Sequence, residues 1–412
     1  MIDIFQMPIF CGPGASTLVG QKGTKERYVQ GQWIGDINGQ VEGTLRVELE
    51  RRCDVVSGNA YLFYAPQYRI PGFTFSIRMP DVAPHRAEVV TTYCYPDGGI
   101  MSPEDRIRAE SFLTENFGEP PVPEKFIVTF AENQDGSLKL DWSGGTRSGS
   151  HTISASIASG ESHLSRRPDL NNWDDFRQWS IEQNPRRYIF RGQTNPFKLT
   201  TTFHRTWRSD LNRWILDDVR RLYGAIVDKV SFPLHLGNLE HNAVIWSILQ
   251  HHGYPTPLLD WSFSPFVSAF FAFYPTKLDS DCRPRIFIFD KAAWEESYGR
   301  QAFIVDAAPP QLVTIENMAV GNPRYTPQQA LAAVSNVTDI EAFIRKREQA
   351  DGKCYLEVCD LSAAEGPRIL RELELMGITF GSLFPGLDGI CKDLKDRLFA
   401  EPGQVCERFI SS

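Results

Sequence analysis

The stretch QHHGYPTPLLDWSFSPFVSAFFAFY, residues 250–274, changes periodicity twice, and those changes set the fold of the second half of the chain. Upstream, Leu239, Ala243, Trp246 and Leu249 form an apolar stripe at helical spacing, so Gln250, His251 and His252 fall at a helix C-terminus. The helix dipole favours a cation there. Gly253, Pro255 and Pro257 break the helix, and LLDW reads as a short strand. Ser264 is placed as an N-cap with Pro265 at the first helical position. Val267, Phe270, Phe271 and Tyr274 then form a face that must bury against a sheet. Helices alternating with short strands predict a mixed α/β domain.

Working outward, residues from about 30 to 158 carry the other signature, strand-like runs without helical stripes. GTLRVELER (43–51), GNAYLFYA (58–65), FTFSIRM (73–79) and AEVVTTYCY (87–95) are four of them. In KFIVTFAENQDGSLKLDWSG, Asp135-Gly136 supplies the turn of a hairpin. One helix interrupts, capped by Ser102 with Pro103 and Asp105 in its first turn. The expectation is a closed antiparallel barrel or a small sandwich. GPGAST (12–17) lacks the Gly-Lys-Ser/Thr ending of a phosphate loop and reads as an ordinary loop. The polar stretch 159–170 reads as a linker, which divides the chain into a β-rich domain (1–158) and a second domain (171–412). The fold class expected is α+β. Near the C-terminus, RILRELELMG reads as an amphipathic helix and GITFGSLFPGLDGI as a terminal strand and turn.

A net charge of −8 across 412 residues argues against a general nucleic-acid or anionic-membrane partner. The eight cysteines make no C-x-x-C pair, and no apolar run approaches the ~18 residues that span a bilayer. The N-terminal residues lack a basic stretch followed by a long apolar run. A cytoplasmic protein with reduced thiols and no metal is expected. His251 and His252 diverge by ~100° on a helix, which disfavours a shared ion.

Four segments concentrate chemistry: YIFRGQ (188–193), the stretch quoted first, GNPRYTPQQAL (321–331) and LFPGLDGI (383–390). In this order they resemble the FRG domain family, named for its Phe-Arg-Gly triplet, over about residues 170–400. Pro257 stands where that family usually has arginine, and Ala330 where a glycine follows the paired glutamines. More distantly the pattern is similar to ADP-ribosyltransferases of the arginine-serine-glutamate type. The resemblance implies a nucleotide or NAD as ligand, transfer or cleavage chemistry, and an effector role in bacterial anti-phage defence. The β-rich domain would then sense or dock a protein partner.

Under that resemblance Arg191, Asp260 and Glu240 are the catalytic candidates. Arg191, Gly192, Gln193, Arg205, His251, Thr256, Ser262, Gln328 and Gln329 are the ligand-binding ones. A guanidinium suits a pyrophosphate, a glycine lets backbone approach a ligand, and a hydroxyl can orient a ribose. Glutamine cannot act as base, so the carboxylate must come from Asp260 or Glu240. Each candidate also has a structural reading. Arg191 could be a strand-end ion pair, Gly192 a tight backbone approach, Glu240 a dipole charge and Asp260 a buried partner of Arg191 or Arg205. His204 reads as a structural neighbour, and Trp261 as core or pocket wall. Two other functions stay open, an enzyme acting on a phosphodiester and a non-catalytic nucleotide-binding module.

Overall fold

The computed structural model describes residues 29–38, 41–229, 233–274, 282–299, 307–316 and 321–399. Residues 12–17 lie outside them. Eight strands form a closed antiparallel barrel in chain order: β1 (Gly31–Ile37), β2 (Gly43–Arg52), β3 (Val55–Tyr64), β4 (Gly72–Pro80), β5 (His85–Cys94), β6 (Lys125–Glu132), β7 (Leu138–Gly144) and β8 (Arg147–Ala155). Trp33↔Ala155 and Ile34↔Ser154 close it. Alternation fills the inside with Leu45, Val47 and Leu49 of β2, Phe73, Phe75 and Ile77 of β4, and Leu138 and Leu140 of β7. Helix α1 (Pro103–Phe117) inserts Leu113 into this core. Its Ser102 cap accepts from Asp105 N at 3.1 Å, as the spacing predicts.

The second domain is built on one six-stranded antiparallel sheet, in the order β12-β13-β10-β9-β11-β14. Its strands are β9 (Tyr188–Gln193), β10 (Leu258–Ser262), β11 (Arg285–Asp290), β12 (Leu312–Ile315), β13 (Ala330–Ser335) and β14 (Leu356–Asp360). Helices α2 (Trp173–Glu182), α6 (Pro265–Phe273) and α9 (Gly366–Leu375) pack over Phe190, Ile286 and Ile288. Beside them, α3 (Leu211–Arg213), π-helical turns at Trp214–Val219, α4 (Arg220–Ile226) and α5 (Leu239–His251) cover Leu258, Ala332 and Val334. The opposite face, with Ile189, Leu259, Trp261, Phe287 and Phe289, packs on α7 (Lys291–Tyr298) and α8 (Ile340–Asp351). The polar stretch after the barrel runs against this sheet, where Arg166 bridges Val358 and Leu170 is buried.

One element differs from expectation. GITFGSLFPGLDGI forms no strand: Thr379 and Ser382 make a reciprocal capping box that starts α10 (Phe380–Leu383), and α11 (Leu387–Leu398) follows. The side chain of Thr379 takes the Ser382 N–H at 3.2 Å, which selects a helical turn over an extended chain.

The outward face of β2 is not solvated. Arg46 and Glu48 are fully buried beneath the second domain. The Glu50 carboxylate accepts from the backbone N–H groups of Ser209 and Asp210, both at 3.0 Å, and from Arg213 at 2.9 Å. Gln32 donates to the Asn336 carbonyl at 2.7 Å, and Asn59 to Asp210 at 3.2 Å. Burial pushes Glu48 up to about 7 and Asp210 up to about 6, against the pull of the Arg46 charge and of the Arg213 backbone N–H respectively. His204 sits in the same joint, buried and held neutral, with its pKa pushed down to about 3 by burial and then by Arg46.

Candidate functional site

β9 and β10 are paired at a single position, Ser262↔Phe190, so the C-terminal end of β9 and the N-terminal end of β10 are free of each other. Arg191 lies at this split. Its Nη1 donates to the backbone carbonyl of Asp260 at 2.6 Å, while its Nε is buried without a partner among the described residues. Alternation puts Gln193 on the same face, and its Nε2 is also buried and unpartnered. Trp261, in the core on the Ile189 side of the sheet, leaves its indole N–H unpartnered too. Three donors without acceptors therefore belong to one face of the sheet around the split.

Arg205 comes from the turn His204–Thr206 that follows β9, and its Nη2 donates to the Thr200 carbonyl at 3.3 Å. Burial, and next the charge of Arg205, lower Arg191 to about 10, so it stays cationic at neutral pH. Among the described residues neither arginine makes an ion pair, so the strand-end salt bridge considered for Arg191 does not form.

Asp260 corrects an expectation. It is exposed, not buried, and its carboxylate is held by Gln250, whose Nε2 donates to Oδ1 at 2.6 Å. The arginines sense its charge without bonding it. Gln250 is itself oriented, because its Oε1 accepts from the Thr256 hydroxyl. Thr256 is fully buried, and its backbone bonds the Thr202 hydroxyl at 2.9 Å and 3.0 Å. Thr256 thus positions Gln250. Gln250 was legible only as a neighbour of His251.

Ser262 is tied into the fold. Its hydroxyl donates to the Gln328 carbonyl at 2.7 Å and accepts from Ser264 N at 3.0 Å, so it staples β10 to the loop before β13. Gly192 is explained by packing: a Cβ there would stand 1.8 Å from the Ser268 carbonyl oxygen on α6. The glutamines diverge. Gln328 donates to the Leu383 carbonyl at 3.0 Å, and Gln329 is exposed, with its backbone in the left-handed region at φ 45°. Glu240 is exposed in the first turn of α5. The ten residues from there to Gln250 span roughly 15 Å of helix, which removes Glu240 from this cluster.

His251 is half-buried, and burial, Arg324 and His252 push it down to about 4, so it is neutral at pH 7. Arg324, which residue patterns did not single out within GNPRYTPQQAL, stacks 4.8 Å over the Phe384 ring and brings a third cation to this side. Among the described residues no group of three or more His, Cys, Asp or Glu could hold a metal ion. Nor is any helix there long and apolar enough to cross a membrane.

Residues 186–281 match the family model of the FRG domain. The matched segment contains Arg191, Arg205, Gln250 and Asp260. No curated protein and no solved structure matches the chain.

Proposed function

With an FRG domain in its C-terminal half as premise, we propose that this chain binds an anionic nucleotide, NAD first among candidates, at the split between β9 and β10. One observation carries the reading: Arg191 is a half-buried cation with no carboxylate partner among the described residues, and its buried Nε is left unsatisfied. A charge partly withdrawn from water is stabilised by a counter-charge, and a buried donor left without an acceptor costs about 1–3 kcal/mol. A pyrophosphate would supply the missing acceptor and counter-charge, with Arg205 as the second cation.

Asp260 supplies an acidic group at the split, presented by Gln250 on the opposite face of β10 from Trp261. In this reading it faces the ribose. As the bond from C1′ to the nicotinamide nitrogen breaks, the electron pair leaves with nicotinamide, and the carboxylate stabilises the oxocarbenium ion left behind. Water or an acceptor nucleophile then attacks C1′. A non-catalytic module is the second reading, supported by Gln328, whose amide is committed to Leu383 in place of an acid. The defence-effector role follows from the family resemblance alone. Incubation with nicotinamide-labelled NAD separates the two readings. Release by the native chain, lost in Asp260→Asn with NAD binding retained, supports transfer or cleavage. Saturable binding without release supports the module.

A further inference from the structure

Helix α11 is amphipathic the wrong way round for a helix at the edge of a single domain. Its inner side is polar: Asp396 accepts from the Tyr274 hydroxyl at 2.8 Å, and Lys392 lies 5.7 Å from the centroid of the same ring. Its outer side is apolar. Leu387 is 81% exposed, Ile390 49%, Leu394 47% and Leu398 65%. At ~100° per residue these four fall within an arc of roughly 80°. Arg397 bonds Glu374 at 3.4 Å, which sets the end of α9 beside this stripe, where Leu375 is 82% exposed. Together these side chains make an apolar surface of the kind that marks interaction sites.

The charges on the helix say what covers it. Lys392, Asp393, Asp396 and Arg397 are all ion-paired within the chain. Asp388 and Lys395 are exposed and make no ion pair among the described residues, although Arg324 senses the charge of Asp388 without bonding it. The pair is seven residues apart, so both lie on one flank of the stripe, with the acid near the N-terminus and the base near the C-terminus. When two copies of a helix pack antiparallel, each flank meets the same flank of its partner. Asp388 then meets Lys395 of the other copy, twice, by symmetry. A parallel pair would not bring them together. The helix carries three acids and three bases, which gives it no net attraction to an anionic membrane.

We infer that α11 is the interface of a two-fold symmetric homodimer, in which two copies pack antiparallel through Leu387, Ile390, Leu394 and Leu398, with Asp388–Lys395 pairs along one flank. The axis falls between residues 391 and 392, so the exposed Cys391 thiols of the two copies approach each other. The inference is independent of any ligand at Arg191.

Sedimentation and light scattering of the full chain test it. The native chain should be a dimer that dissociates on dilution. Leu394→Glu should be monomeric with an unchanged melting profile. Asp388→Lys and Lys395→Asp should each weaken the dimer about tenfold or more, and the double exchange should restore it. A short bis-maleimide should cross-link the native dimer, and Cys391→Ser should abolish the cross-link without dissociating the dimer. A chain that is monomeric at every concentration overturns the inference, as coverage of this face by the residues after Phe399 would. So does a dimer that survives Leu394→Glu, or single charge variants as tight as the double exchange.

Discussion

Gly192 stands where β9 packs on α6, and the Ser268 carbonyl fills the space that a side chain would need. Gly192→Ala must push strand and helix apart, and it should cost about 3 kcal/mol, read as a lower urea midpoint. Asp260→Asn, at an exposed position, should shift stability by only about 0.5 kcal/mol or less in the same measurement. These two residues show how much of the site was legible. Arg191 was singled out because a guanidinium follows an apolar strand, and the structure does place it at the split of the sheet. The burial of Asp260 was misjudged because its neighbours Leu259 and Trp261 are core residues. Alternation fixes only that Asp260 faces the other side. Whether that side is covered depends on where α5 and α6 sit, which no local pattern specifies. The roles of Ser262 and Thr256 were hidden for a related reason: their partners, Gln328 and Thr202, come from distant segments.

At the scale of elements, caps and breakers were readable because they are local. Ser264 accepts from Val267 N at 3.2 Å, and Pro265 opens α6 as its position predicts. Ser264→Ala should cost about 1 kcal/mol of stability, and should also loosen the turn that follows β10. That second effect is checked by faster amide hydrogen exchange at Val267 and Ser268 relative to the barrel. The glycines and aromatics of the segment after α9 suggest strand and turn. The Thr379–Ser382 capping box, a pairing over three residues, decides it otherwise. Gly389 completes that corner, since a Cβ there would meet the Phe384 carbonyl oxygen at 1.7 Å. The apolar outer side of α11 is legible as a stripe in LDGICKDLKDRL, but which side faces out is set by Tyr274 and Phe380.

For the molecule as a whole, the joint between barrel and second domain is a buried polar surface. The alternation in RVELER marks Arg46, Glu48 and Glu50 as facing out of the barrel, and nothing local says that a second domain covers them. The segment that fills this joint, from His204 to Arg213, also carries Arg205, so the barrel fixes part of the proposed site. Titration of the joint has a definite sign. Glu48 has its pKa raised from 4.5 to about 7, so the folded chain holds a proton that the unfolded chain has released. Its contribution is full below pH 4.5 and is lost as pH rises to about 7. His204 works in the opposite sense, losing stability as pH falls from 6.5 to about 3. Glu48→Gln removes only the first term. Relative to the native chain, the variant should gain roughly 1–3 kcal/mol between pH 5 and pH 7, measured by urea unfolding at each pH. Equal pH slopes for the two proteins would contradict a buried, protonated Glu48. The central claim, an anionic nucleotide bound against the uncompensated Arg191, is tested most directly by calorimetric titration of NAD into the native chain and into Arg191→Ala, with melting curves of both. The expected result is saturable binding to the native chain and none to a variant that melts normally. Equal binding by both proteins, or no binding by the native chain, would contradict it.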